Sequence, residues 1–266
     1  MKHRIEFRQS ADGSTLDLYL NSEVMPDGYN WWTGAEIKSE TSAEYFRQQL
    51  AEHPNVTQIN LYINSPGGDV MEGYGIYAQL KRHPANVTAY IDGFACSVAS
   101  IIAMAADRIV MYANSMMMIH EAESGLWGNA DAHRKLANDL DKIMEGNRQC
   151  YLQKAGEKLT EQRLVEMLDA ASWLTAADCL TVGLCDEIDA NKEIDQAAAA
   201  AVMQRANTSL KACVAANQRM QKTLQDITKQ TAPPNPPPAP PADPEPEPMP
   251  TQGENKALRM FGVLFN

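Results

Sequence analysis

Ile59-Asn-Leu-Tyr-Ile-Asn64 runs into Ser65-Pro-Gly-Gly-Asp69, and the same plan returns in Val87-Thr-Ala-Tyr-Ile91 followed by Asp92-Gly-Phe-Ala-Cys-Ser-Val-Ala-Ser100. Each apolar run reads as a strand, each ends in a glycine-marked turn, and each turn opens an apolar helix. A third strand, Ser115-Met-Met-Met-Ile119, delivers His120. Backbone amides at the first turn, a serine at the start of the second helix and a histidine at a strand end are the parts of an acyl-transfer site.

Gly67-Gly68 lets the backbone enter conformations closed to other residues and lets a ligand approach closely. Amides at the start of the helix that follows (Val70, Gly73, Ile76, Tyr77, Leu80) point outward unpaired and attract negative charge. A tight β–α turn with no ligand explains the glycines equally well. A phosphate loop does not, because no Gly-Lys-Ser or Gly-Lys-Thr follows. In the second turn, small residues crowd the start of a helix carrying Val98, Ile101, Ile102 and Met104, so that helix is expected close to another backbone. Ser97 reads either as its cap, the ordinary role of a helix-start serine, or as a nucleophile. In the second reading the amides of Gly68 and Val98 act as oxyanion donors. A free hydroxyl is a weak nucleophile at neutral pH and needs a base. Of five histidines, His3 is terminal, His53 and His83 precede prolines, and His133 lies in a polar helical stretch. His120 alone ends a buried-looking strand.

The bulk properties narrow the classes. The chain has 266 residues, 44% of them apolar, and a net charge of −11. Without a basic run, a nucleic-acid partner is not expected. Ile101-Ile-Ala-Met-Ala-Ala106 is too short to span a membrane, and Met1-Lys-His-Arg-Ile-Glu6 lacks the apolar core of a signal peptide. Cysteines 96, 150, 179, 185 and 213 form no CxxC pair and no metal-ligand spacing, which predicts reduced thiols in the cytoplasm and no metal.

Before this stretch, Thr15-Leu-Asp-Leu-Tyr-Leu20 alternates as a half-buried strand. Gly28–Gly34 is expected as a loop whose Trp31 and Trp32 pack in a core or interface, or else grip a ligand. Thr41-Ser-Ala-Glu44 has capping-box spacing for a helix that turns Tyr45, Phe46 and Leu50 to one side. After Glu187 the composition changes. Residues 191–230 read as helix, with Met203, Ala206, Leu210, Cys213, Asn217, Met220, Leu224 and Ile227 on a heptad seam: a short coiled coil, or a solvated helix with incidental apolar residues. Eleven prolines between Pro233 and Pro250 predict a polyproline-II spacer, followed by the apolar Leu258-Arg-Met-Phe-Gly-Val-Leu-Phe265. The expected segments are thus 1–190, 191–230, a linker over 231–252 and a tail peptide over 253–266.

Asn64-Ser-Pro-Gly-Gly, Gly93-x-Ala-x-Ser97, Ile119-His120 and Trp173-Leu-Thr-Ala-Ala-Asp-x-Leu-x-x-Gly-Leu-x-Asp186 together resemble the caseinolytic protease (ClpP) family of serine peptidases. More closely, the chain resembles ClpP-like head-maturation (prohead) proteases of tailed phages. The resemblance implies an α/β fold, the crotonase-like spiral of ββα units. It implies Ser97 as nucleophile, His120 as base and the amides of Gly68 and Val98 as oxyanion hole. The helix from about Gly128 to Gly156 resembles the family's handle, with Leu136, Leu140, Ile143, Met144, Tyr151 and Leu152 as its apolar set. The acid departs from the pattern: counting forward from Gly156 places it at Asp169, counting back from Trp173 at Ala171, and Asp169 is the candidate.

The expected function is an ATP-independent serine endopeptidase without cofactor, assembled as a homo-oligomeric ring, a heptamer, single or stacked. Its substrate would be a phage capsid or scaffold protein, met in the host cytoplasm or within the prohead. Two alternatives stand beside it: a housekeeping ClpP fed by an AAA+ unfoldase, and a non-catalytic assembly or scaffolding protein on the same fold.

Overall fold

A computed structural model describes residues 4–190, 202–204 and 208, all within the unit Met1–Met220. In chain order these are β1 (Ile5–Gln9), β2 (Thr15–Leu20), a short hairpin β3 (Gly28–Tyr29) and β4 (Glu36–Ile37), α1 (Ala43–Ala51), β5 (Gln58–Ser65) and α2 (Val70–Arg82). Then come β6 (Asn86–Cys96), α3 (Val98–Ala103), β7 (Arg108–Tyr112), β8 (Met116–Ile119) and α4 (Ala130–Ala155). After a single 3₁₀ turn the body closes with α5 (Glu161–Asp169), β9 (Ser172–Thr175), α6 (Ala176–Val182) and β10 (Glu187–Asp189).

The alternation of β5 holds as far as Ile63: Ile59, Leu61 and Ile63 are at most 1% exposed, and at the strand's end Asn64 and Ser65 are both buried. Parallel neighbours continue that face, with Leu16, Leu18 and Leu20 of β2 on one side and Val87, Ala89 and Ile91 of β6 on the other. On the opposite face the same registers stack Tyr19 on Tyr62 on Tyr90, with centroids 4.9 and 5.0 Å apart. The sheet order is β1-β2-β5-β6-β7-β10. The fold is the α/β spiral that the sequence led us to expect.

The second strand is longer than the sequence reading. β6 does not end at Ile91 but runs through Gly93 to Cys96, changing partner from β7 to β8 on the way. Gly93 is a strand residue, made necessary by a close contact: a Cβ there would lie 2.6 Å from Asn64 Oδ1. That oxygen accepts a bond from the Phe94 amide at 3.2 Å.

Three further expectations change. The cap of α1 is Ser42, whose hydroxyl accepts from the Tyr45 amide at 3.1 Å. Thr41 instead accepts from the Met25 amide, and Glu44 is engaged by the Arg47 guanidinium. Trp31 and Trp32 are 85% and 80% exposed, so they are no part of this chain's core. The tip of the β3–β4 hairpin carries them edge to face against each other at 5.2 Å, since a tight loop, unlike a strand, can turn neighbouring side chains to one side. In α4, only Met144 and Tyr151 of the expected apolar set are buried. The first turns of that helix, up to Ile143, hold no buried residue. Of the heptad seam only Met203 is described, and it is 42% exposed. The Pro-rich linker and tail lie outside the described residues. No described helix is long and apolar enough to cross a membrane.

Candidate active site

Ser97 occupies the corner between β6 and α3 with φ 53° and ψ −130°. Among the described non-glycine residues only Ala171 shares its positive φ. Such a conformation costs on the order of 1–3 kcal/mol and persists only where the surroundings impose it. The Ser97 amide donates to the Met118 carbonyl at 2.7 Å. The Ser97 carbonyl accepts from the Ser100 amide at 3.0 Å and from the Ser100 hydroxyl at 2.6 Å. Although Ser97 stands at the N-cap of α3, its side chain caps nothing. The hydroxyl lies 2.9 Å from His120 Nε2.

The meeting of serine and histidine follows from strand register. β8 runs parallel to the end of β6 with Met118 beside Cys96, so both strands finish at the same edge and release Ser97 and His120 side by side. His120 is partly buried, and this burial pushes its pKa below the ordinary histidine value; the Glu123 carboxylate and the Glu121 backbone oppose that in part. Its Nδ1 is buried without a hydrogen-bond partner.

The Gly67-Gly68 turn lies against this corner. A Cβ on Gly67 would fall 2.7 Å from Ser97 Cβ and 3.2 Å from the Val98 amide nitrogen. Gly68 has φ +140°, and a Cβ there would fall 2.1 Å from the Val24 carbonyl oxygen. Val24 takes the Gly67 carbonyl and the Asp69 amide on one side of the turn. Gly68 lies between these two bonds, in a bridge to Val24. The Asp69 side chain caps α2, and Gly73 gives α3 its seat: a Cβ there would meet Val98 Cγ2 at 2.0 Å.

The two positions that the sequence counts gave for the acid, Asp169 and Ala171, lie on either side of the end of α5. β9 pairs antiparallel with β8, setting Ser172 opposite Ile119. Ala171, the residue before β9, lies in the turn with φ 47°. Asp169 ends α5 two residues earlier; it is exposed, makes no hydrogen bond to His120, and its charge is felt instead by Glu121. Sequence reasoning missed the supports around the pair: the Ser100 hydroxyl, Tyr151 against it at 2.7 Å, and the Glu121–Arg148 ion pair at 3.7 Å. Only Tyr151 had a signal, as an aromatic on the apolar stripe of α4, and its partner 51 positions away was invisible. Among the described residues no cluster of three His, Cys, Asp or Glu could hold a metal.

The family described as Clp protease matches residues 30–192. This chain belongs to the Clp protease family. It is 31% identical over 190 residues to an ATP-dependent Clp protease proteolytic subunit 2 of Treponema denticola, covering 70% of this chain and 91% of that protein. Membership makes the chain a peptidase homologue, and ring-shaped homo-oligomers are the family's form of assembly. In this Clp protease the pair at 2.9 Å can move a proton from hydroxyl to imidazole only when Nε2 is free, so His120 must be neutral. As pH rises through a lowered histidine pKa, labelling of Ser97 by a fluorophosphonate is expected to rise and level off. Its midpoint should lie below the ordinary 6.5; a midpoint above that value in a pH–rate profile would contradict burial as the dominant influence on His120.

Proposed function

We propose that the protein is a serine endopeptidase working through an acyl-enzyme on Ser97, with His120 as base and the amides of Gly68 and Val98 as oxyanion donors. The observation that carries this is the uncapped Ser97 hydroxyl 2.9 Å from His120 Nε2, on a backbone held at φ 53°. In the reaction Nε2 takes the hydroxyl proton as Oγ attacks the peptide carbonyl, then returns it to the leaving amine. The acyl ester is cleared by water through the same base. Ser97→Ala should lower peptidase activity by up to about 10⁶-fold, and light scattering should return the same multimeric mass for both chains. Retained cleavage would remove the nucleophile, and a monomeric mass would remove the proposed heptameric ring.

Asp169 is the proposed acid, the carboxylate nearest in sequence to Ala171. Catalytic hydrogen bonds are often long before substrate binds and tighten afterwards. Asp169→Asn should then cost roughly 10⁴-fold in turnover, as in other triads. An unchanged rate in steady-state assays would leave a serine–histidine dyad.

The substrate reading is a phage capsid or scaffold protein cut without ATP during head maturation in the host cytoplasm or prohead. Its support is the sequence after residue 230: eleven prolines between Pro233 and Pro250, then an apolar peptide. An apolar peptide tethered to the protease raises the local concentration of the enzyme at a partner that the peptide docks on. The printed name of the Treponema denticola relative, an ATP-dependent subunit, favours the second reading, a peptidase fed by an unfoldase. Deleting residues 231–266 separates them. Cleavage of a small fluorogenic peptide should survive while processing of a capsid or scaffold protein weakens. Equal loss on both substrates, or none on either, would sink the tether.

A further inference from the structure

We propose that Ser100 and Tyr151 are positioning residues for the nucleophile: two buried hydroxyls reach in series from α4 to the Ser97 carbonyl and hold the serine where its Oγ meets His120. The inference rests on the acyl-enzyme reading above.

The direction of the two bonds follows from proton count. Ser100 Oγ lies 2.6 Å from the Ser97 carbonyl oxygen, which can only accept, so the single Ser100 proton is spent there. The Tyr151 hydroxyl, 2.7 Å from the same Oγ, must therefore be the donor in the second bond. Both side chains are at most 1% exposed, so water does not compete for either bond. Burial pushes the Tyr151 pKa up and keeps its proton in place.

The two bonds act on the one backbone group that needs them. With its amide tied to Met118 at 2.7 Å, Ser97 keeps rotation about φ and ψ, and both angles place its carbonyl. Ser100 already supplies its amide to that carbonyl at 3.0 Å, an i to i+3 bond of the 3₁₀ kind. The hydroxyl adds a second, shorter donor, and Tyr151 keeps it from rotating away. Releasing the carbonyl would let φ and ψ leave 53° and −130° for relaxed values, and rotation about φ carries Cβ and Oγ away from Nε2. Neither residue touches the reacting atoms.

Ser100→Ala, Tyr151→Phe and the double variant of the full chain test this. Each is melted thermally, then assayed well below its midpoint with a fluorophosphonate probe and with a fluorogenic peptide that the wild type cleaves. Ser100→Ala should lower the labelling rate and kcat by about 10²-fold, the scale of a misplaced reacting group, with KM unchanged. Tyr151→Phe should cost roughly fivefold, the worth of one hydrogen bond. The double variant should match Ser100→Ala, because Tyr151 acts only through Ser100. A folded Ser100→Ala chain with wild-type kcat overturns the proposal, and so do single losses that multiply in the double variant. If Ser100→Ala does not fold, Tyr151→Phe decides: a wild-type labelling rate overturns the proposal, and a lower kcat at unchanged KM and melting midpoint supports it. A wild-type chain that fails to label at Ser97 sinks the nucleophile itself, a result distinct from any of these.

Discussion

The structure depends on three backbones approaching so closely that no side chain fits between them. Gly67 lies on the Ser97 corner, Gly68 on the Val24 carbonyl and Gly73 on Val98, with a Cβ at any of these positions falling between 2.0 and 2.7 Å from its nearest neighbour. These contacts lock the turn after β5, the entry into α3 and the segment after β2 into one unit. Close packing of this kind does not deform gradually. The turn therefore presents its amides in a fixed place beside a serine that is itself fixed, and preorganised donors need no rearrangement as charge develops.

The strained corner is held by ordinary means. Ser97 has no conformational preference for φ 53°, so the local cost is met by bonds from three elements: β8 through the Met118 carbonyl, α3 through the Ser100 amide, and α4 through Tyr151 and the Ser100 hydroxyl. The base is treated in the opposite way. One face of its imidazole chemistry, Nε2, is presented to the serine, while Nδ1 is buried with nothing to bond. Burial favours the neutral ring, which suits proton acceptance, and with Nδ1 lacking a side-chain partner the ring is oriented by packing and by its contact with the Ser97 hydroxyl.

The start of β9 gives the missing partner a physical cause. Two residues separate the two counts that placed the acid. β9 begins only at Ser172, opposite Ile119, and the residue before it is Ala171, held in the turn at φ 47°, whose methyl group accepts nothing. Asp169 is left at the end of α5, where its charge adds to that of Glu121.

Periodicity and turn chemistry in the sequence determined the strands β2, β5 and β8 and the helices α2 and α4, and they marked Gly67, Gly68 and His120, while Ser97 reads from them as a cap or a nucleophile and as the nucleophile only through the family resemblance. These signals are local: alternation along a strand, a glycine pair before a helix, a histidine ending an apolar run. Tertiary structure decided what depends on distance between segments. Gly93 lies within β6 because Asn64 approaches it, Ser42 rather than Thr41 caps α1 because Thr41 is bonded to Met25, and the tryptophans sit on a hairpin tip in solvent. The partner of Ser100 lies 51 residues away on another helix, and the strand that pairs with the end of β8 begins only at Ser172. No property of one chain segment encodes such a meeting, because it is fixed only when the core packs and leaves each side chain a single place to go.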